Sequence, residues 1–506
     1  MAYATTQAGD WDADAVWGGA GPGGTPDADC TVSHTVTGNI SVNMAAHTLT
    51  IDDCQLNVGD EETLQTGSGG HISIENGTVN CPGQLTLASG STLTIDGGSW
   101  LRIYDTGGSP GFTDGGAIVL NGHLNMDLAS WSPAGSYDWQ GEIDFSGTSL
   151  DLSNMEISDS GVSTCLVFDR TAAGDVTFDL GTDDALGVRI AIANNGSTSC
   201  KPVTHKPDVN GFVMTNGVYS DNGLDHTIRG GSLTYNAGTF TSSATWYVRG
   251  GTVTWDEFTR RLNHVHFGHG GQQTALGATC KCRQATIGTG GLTGAHELWV
   301  YLEADDAWQQ GPSAGTVDIE AIRLRIKSGS DRQVGAVDFA SLASAMYVDN
   351  YDHDRTIAMT DDWVGGSVGL HVRNGDDGHY SGLDVGGHEL SCGTLTLGIN
   401  GGGDGRLSLS GGRVSCSSLA CGGDSDDNRL ALDGGLLVLD GTLDGTELTV
   451  TADAPSAIGT HNGATVENLE PAAAVVCHGG VRIGSGNNGL VVHSGGATHT
   501  GTGTGR

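Results

Sequence analysis

The phrases IENGTV (Ile74–Val79), IDGGSW (Ile95–Trp100) and LNGHLN (Leu120–Asn125) share one pattern. An apolar residue is followed by a polar one, a corner rich in Gly, Asn or Asp, and a return to apolar residues. Looser copies begin at Ile51 (IDDCQL) and Phe145 (FSGTSL), so the steps from Ile51 to Phe145 are 23, 21, 25 and 25 residues. Further copies begin at Ile228 (IRGGSLTY), Val248 (VRGGTVTW), Leu409 (LSGGRV) and Leu432 (LDGGLL). Such a period marks a solenoid, in which each repeat buries its apolar side against its neighbours. Between the corners, TLTI, HISI and QLTL alternate apolar and polar residues, the two-residue period of a strand. The fold class expected is all-β: a single-stranded parallel β-helix of about twenty coils, each giving about three short strands.

Composition agrees. Glycine numbers 84 of 506 residues and aromatics make up 6 %, enough for a thin core lined by Val, Leu and Ile. Acids outnumber bases 59 to 22, for a net charge of −37, and only four lysines occur. Asp suits the corners because its side chain bonds nearby backbone N–H groups. A surface this acidic repels nucleic acid and anionic membranes, so neither is an expected partner. No apolar stretch approaches the ~20 residues that span a bilayer, and MAYATTQAGDW lacks the basic and apolar regions of a signal peptide.

The eleven cysteines include Cys30, Cys54 and Cys81 at steps of 24 and 27, and Cys392 and Cys416 at a step of 24. Those steps are coil lengths, so equivalent stacked positions on adjacent coils are expected, with disulfides between neighbouring coils as the alternative.

Five regions follow from the pattern. Residues 1–35 carry Trp11 and Trp17 in GDWDADAVWGGAGPGG, suited to cover the open end of a solenoid. Residues 36–200 and 386–495 read as regular coils. GHELSCGTLTLG from Gly387 matches GGRVSCSSLACG from Gly411 at an offset of 24. Residues 201–385 are less regular, and insertions of that kind make this section the candidate recognition face. There WDEFTRRLNHVHF and VDFASLASAMYVD fit short helices or irregular loops. Residues 496–506 read as a mobile tail.

Three constellations are candidates for chemistry. His264, His266, His269, Cys280 and Cys282 combine imidazole and thiol, the donors zinc prefers. On a strand, His264 and His266 would share a face, as would the two cysteines; on a helix the two histidines would point apart. Asp349, Asp352, Asp354 and Asp361 lie in and after DNYDHDR, and paired carboxylates are what glycoside hydrolysis requires. NGGGDGRLSL from Asn400 and GGDSDDNRLAL from Gly422 are glycine–aspartate stretches of the type that binds calcium, which makes calcium the candidate cofactor. Asn39, Asn76 and Asn195 match the glycosylation pattern and are given no role.

The segment from Trp11 through VWGG to SHTVTGNISV resembles the opening of parallel β-helix (pectin-lyase-like) proteins of tailed-phage virions, tail fibres and bacterial surfaces. The resemblance implies a structural or adhesive protein of the virion or extracellular surface. Its partners would be other virion or surface proteins and a polysaccharide or cell-surface glycan, and its assembly a homotrimer. It also raises the alternative of a polysaccharide hydrolase or lyase on the same scaffold; a calcium-stabilised extracellular matrix protein is a third reading.

Overall fold

The computed structural model describes residues 2–38, 40–104, 111–128, 130–131, 136–139, 141–145, 149–152, 156–160, 165–168, 176–180, 189–193, 199–203, 207–257, 259–327, 329–350, 353–375, 378–398 and 403–421. Beyond these it describes 428–433, 436–439, 443–444, 448–454, 456–460, 466–467, 476–477, 481–485 and 490–492. The chain is all-β, a single-stranded parallel β-solenoid of more than a dozen turns. It divides into two compact units, Met1–Ala244 and Thr245–Arg506.

In the first unit each coil contributes strands to three parallel ladders. One ladder is an eight-stranded sheet that begins at Tyr3–Ala4 and Cys30–Val32 and continues through Thr48–Asp52, His71–Glu75, Thr92–Ile95 and Ala117–Leu120. A second includes Gln55–Val58, Thr78–Cys81, Trp100–Tyr104 and His123–Asp127. The third includes Thr63–Gln65 and Gln84–Leu87. The alternation in the sequence fixes the register. Leu49, Ile72, Leu93 and Ile118 are successive partners, as are Ile51, Ile74, Ile95 and Leu120, and all eight are buried. Burying one such side chain contributes about 2 kcal/mol. A slip by one residue would turn a whole column outward, so register is strongly specified.

The corners explain the recurring phrase. Asp53 and Asn76 adopt left-handed backbone, with φ of 52° and 51°, which short polar side chains tolerate. At Gly122 the constraint is close approach: a Cβ there would lie 2.4 Å from the Asp96 carbonyl oxygen and 2.5 Å from that of Ser99. Trp11 and Trp17 are buried, with ring centroids 4.9 Å apart. Trp17 Nε1 donates to the Trp11 carbonyl at 2.7 Å, and Trp11 Nε1 to that of Gly23 at 2.9 Å.

Two expectations of spacing are corrected. Phe145 does not continue the Ile51–Leu120 column: Leu120 pairs with Trp139, and Phe145 pairs with Met126 in another ladder. The phrase marks a corner, and more than one corner of the coil uses it. Cys30, Cys54 and Cys81 do not stack either. Cys30 pairs with Leu49, Cys54 sits in a corner, and Cys81 pairs with Ile103. Local coils are shorter than the cysteine spacing: the step from Cys30 to its partner Leu49 is 19 residues. Cys392 and Cys416 do pair, within a ladder that runs at an offset of 24 from Glu389–Arg413 to Leu397–Cys421. Among the described side chains, all nine cysteines are free thiols.

In the second unit the parallel strands continue, and Val481–Ser485 with Leu490–Val492 is an antiparallel pair. Leu262–Phe267 and Ala345–Asn350, where sequence fitted helices or loops, are strands. The 3-10 turn His269–Gly271 is the one helical segment among the described residues. No helix among them is long and apolar enough to cross a membrane.

Candidate functional site

Within the second unit, strands Cys280–Ile287, Glu297–Tyr301, Ala321–Arg325, Ala345–Asn350 and Gly369–Asn374 lie side by side in register. Their inward residues are apolar or thiol: Cys280 and Cys282, Leu298 and Val300, Ile322 and Leu324, Met346 and Val348, Leu370 and Val372. The alternation sends the residues between them outward, where they form two rows. Lys281, Trp299, Arg323, Tyr347 and His371 are successive partners in the first row. The second row pairs Tyr301 with Arg325 and Asp349 with Arg373.

The first row is a stack of cations and rings. The Lys281 Nζ lies 5.0 Å from the Trp299 ring centroid, and the Arg323 guanidinium carbon lies 5.3 Å from it. Arg323 lies 4.0 Å from the Tyr347 ring, which stacks on His371 at 5.0 Å and 17°. From the second row, Arg325 covers Trp299 at 4.5 Å and Arg373 covers Tyr347 at 4.5 Å. Each cation–ring contact contributes about 0.5–2 kcal/mol, more as water is excluded.

Two carboxylates lock the stack. Glu297 accepts from Arg323 at both oxygens, with Nε–Oε2 at 2.7 Å and Nη2–Oε1 at 2.9 Å. Asp349 Oδ2 accepts from Arg323 Nη1 at 3.0 Å and Arg325 Nη2 at 3.1 Å. The Asp349 carbonyl accepts from Arg325 Nε at 3.0 Å, and Arg373 Nε lies 3.9 Å from Oδ1. The Arg323 hydrogen bonds, opposed by burial, hold the Glu297 carboxyl below its ordinary range. Burial works against the Arg323 charge, but Glu297 and Asp349 outweigh it and raise its proton affinity.

This fixes the place of the described candidate carboxylates. Asp349 has only 4 % of its side chain exposed and is spent on arginines. Asp354 Oδ1 accepts from the Tyr380 backbone N–H at 2.9 Å and lies 3.3 Å from His379 Nδ1. Asp361 Oδ1 accepts the next residue's N–H, a local turn contact of 2.8 Å. Asp352 lies outside the described residues. Asp349 sits in a strand, Asp354 just before strand Arg355–Met359, and Asp361 just after it, so the three occupy different parts of the coil.

The strands also divide the histidine–cysteine set. Leu262 pairs with Cys282 and His264 with Gln284. Both cysteines point into the core, fully buried, whereas His264 and His266 share the outer face. Burial pushes the Cys282 thiol up to about 12, against the pull of Arg261, and Cys280 well up too, so both stay protonated at neutral pH. His264 Nε2 lies 2.8 Å from Thr286 Oγ1, and the His266 and His269 rings are 4.7 Å apart. Burial, with the charges of His269 and His264, lowers His266 to about 4. Among the described residues no group of three or more His, Cys, Asp or Glu is arranged to hold a metal ion. Of the calcium-type stretches, residues 400–402 and 422–427 lie outside the described set, while Asp404 is buried at the start of strand Asp404–Leu409.

Sequence reasoning missed the ladder, although a signal existed. WVY, RLR, YVD and HVR, at 299–301, 323–325, 347–349 and 371–373, recur at steps of 24 with an apolar residue between two outward ones. The residue types change from copy to copy, so the identity of the phrase is lost while its period survives. No family model, no curated protein and no solved structure matches the chain.

Proposed function

We propose that the protein is a structural and adhesive β-solenoid, of the kind found in phage virions, tail-associated fibres or on bacterial surfaces, and that it binds a surface glycan without cleaving it. In this reading residues 1–35 cap the solenoid, 36–200 and 386–495 are scaffold, 201–385 are the recognition section, and the 496–506 tail, outside the described residues, meets a partner. The observation that carries the reading is the outer ladder at 281–373, a rigid stack of rings and cations whose central carboxylate, Asp349, is committed to arginines. A carboxylate so paired holds its geometry and is unsuited to deliver a proton. Rings with hydrogen-bonding groups on a fixed scaffold are what a sugar polymer needs.

A polysaccharide panel read for binding, reducing ends and unsaturated products tests this. Retention of at least one polysaccharide with no product is expected. Product formation abolished by Asp354→Asn would replace this reading with the hydrolase or lyase alternative.

A further inference from the structure

The chain carries a net charge of −37, yet half of its 22 basic residues, eleven, lie between Arg249 and Arg373. In and beside the ladder, Arg261, Lys281, Arg283, Arg323, Arg325 and Arg373 meet four carboxylates: Asp256, Glu297, Glu303 and Asp349. Those contacts set six cations against four carboxylates on a strongly negative molecule. Its cations are unequally used. Arg323 gives three hydrogen bonds to Glu297 and Asp349. Arg373 and Arg283 each have a buried Nε with no hydrogen-bond partner, their nearest carboxylate oxygens lying 3.9 and 3.5 Å away.

Spacing gives the shape of the ligand. Arg283 follows Cys282, which pairs with Val300, so Arg283 falls in the row of Tyr301, Arg325, Asp349 and Arg373. Arg283, Arg325 and Arg373 are each two coils apart, about 10 Å at the ~4.8 Å strand spacing. We propose that this row binds a linear acidic polysaccharide bearing a carboxylate or sulfate on alternate sugars, with Arg283, Arg325 and Arg373 each meeting one anionic group. This rests on the glycan-binding reading above and narrows it. Duplex DNA carries a charge every ~3.4 Å per strand, too dense for the row, and the surrounding acid repels nucleic acid of either form. An extended acidic peptide presents same-face side chains every ~7 Å, again out of step. Trp299 and Tyr347 stand in the adjoining row, covered by Arg325 and Arg373.

The test measures binding of the full chain to hyaluronan, neutral dextran and poly-glutamate by calorimetry at two salt concentrations. Hyaluronan is expected to bind, to weaken as salt rises, and to lose about tenfold or more in affinity on Arg373→Gln or Arg283→Gln. Arg413→Gln, outside the ladder, serves as the control and is expected to bind as the parent does, and melting temperatures of the variants check that the fold is kept. Dextran binding as tightly as hyaluronan, with Arg373→Gln silent, overturns the acidic ligand but leaves glycan binding standing. Poly-glutamate binding as tightly as hyaluronan overturns it as general polyanion attraction. Failure of a broad neutral and acidic panel overturns both readings.

Discussion

The coils at 48–127 and those at 297–374 have the same inside and different outsides. Both line the core with Leu, Ile, Val and Met in register. Outside, the first region combines small neutral contacts, such as Asn80 Nδ2 donating to Asn57 Oδ1 at 2.8 Å and His71 Nε2 lying 3.0 Å from Thr94 Oγ1, with one short stack in which Arg102 covers Trp100 at 5.1 Å and Trp100 lies on His123 at 4.1 Å. The second extends such stacking over five coils with guanidinium, indole, phenol and carboxylate groups that converge on Asp349. A coil touches only its neighbours, so an outer row can be rewritten without altering the inner columns. Specialisation is local in a solenoid, and its cost is local too.

The largest expected effect separates the two regions directly. Asp349→Ala leaves Arg323 and Arg325 half-buried without their shared carboxylate and should cost about 3 kcal/mol of local stability. Hydrogen exchange should then accelerate across 321–374 and not across 48–127. Unchanged protection at 321–374 would remove Asp349 as the keystone of the ladder.

The first unit buries a neutral histidine, which gives it a response of its own to acid. His226 is fully buried; its Nδ1 donates to the Leu224 carbonyl at 2.7 Å, and its Nε2 accepts from the Tyr219 hydroxyl. Burial lowers it to about 4, from an ordinary 6.5. Between those values the unfolded chain takes up a proton that the folded chain refuses. The contribution is therefore complete above pH 6.5 and lost as pH falls toward 4, by about 3 kcal/mol in all. Unfolding free energies at pH 7 and 4.5 should differ more for the parent than for His226→Gln; equal differences would mean that His226 is not the titrating group.

Smaller effects sharpen the contrast. Asn57→Ala, which removes the acceptor shared by Gln55 Nε2 and Asn80 Nδ2, should cost about 1–2 kcal/mol, the ordinary value of two neutral hydrogen bonds. A loss at Asn57 as large as that at Asp349 would erase the difference between the regions. Tyr347→Leu removes the ring between Arg323 and Arg373 while keeping the strand, and should cost about 1 kcal/mol in urea unfolding.

The fold was legible because its signal is inward and repetitive. TLTI and HISI alternate, the corners carry Gly, Asn and Asp, and Cys392 and Cys416 pair at the step their spacing shows. The site was much less legible. The histidine–cysteine set looked contiguous at 264–282, but alternation sends the imidazoles out and the thiols in. The carboxylates of DNYDHDR looked like one cluster, but the coil distributes the described ones among a strand and two turns.

Sequence alone determined that this chain is a parallel β-solenoid, since apolar alternation and corner residues recur wherever a coil must close and stack. Only the tertiary structure decided that Trp299, Arg323, Tyr347 and His371 touch one another. They stand 24 residues apart, and stacking coils brings each copy within a strand spacing of the next. That contact depends on register, which the inner columns set and the outer residues do not reveal.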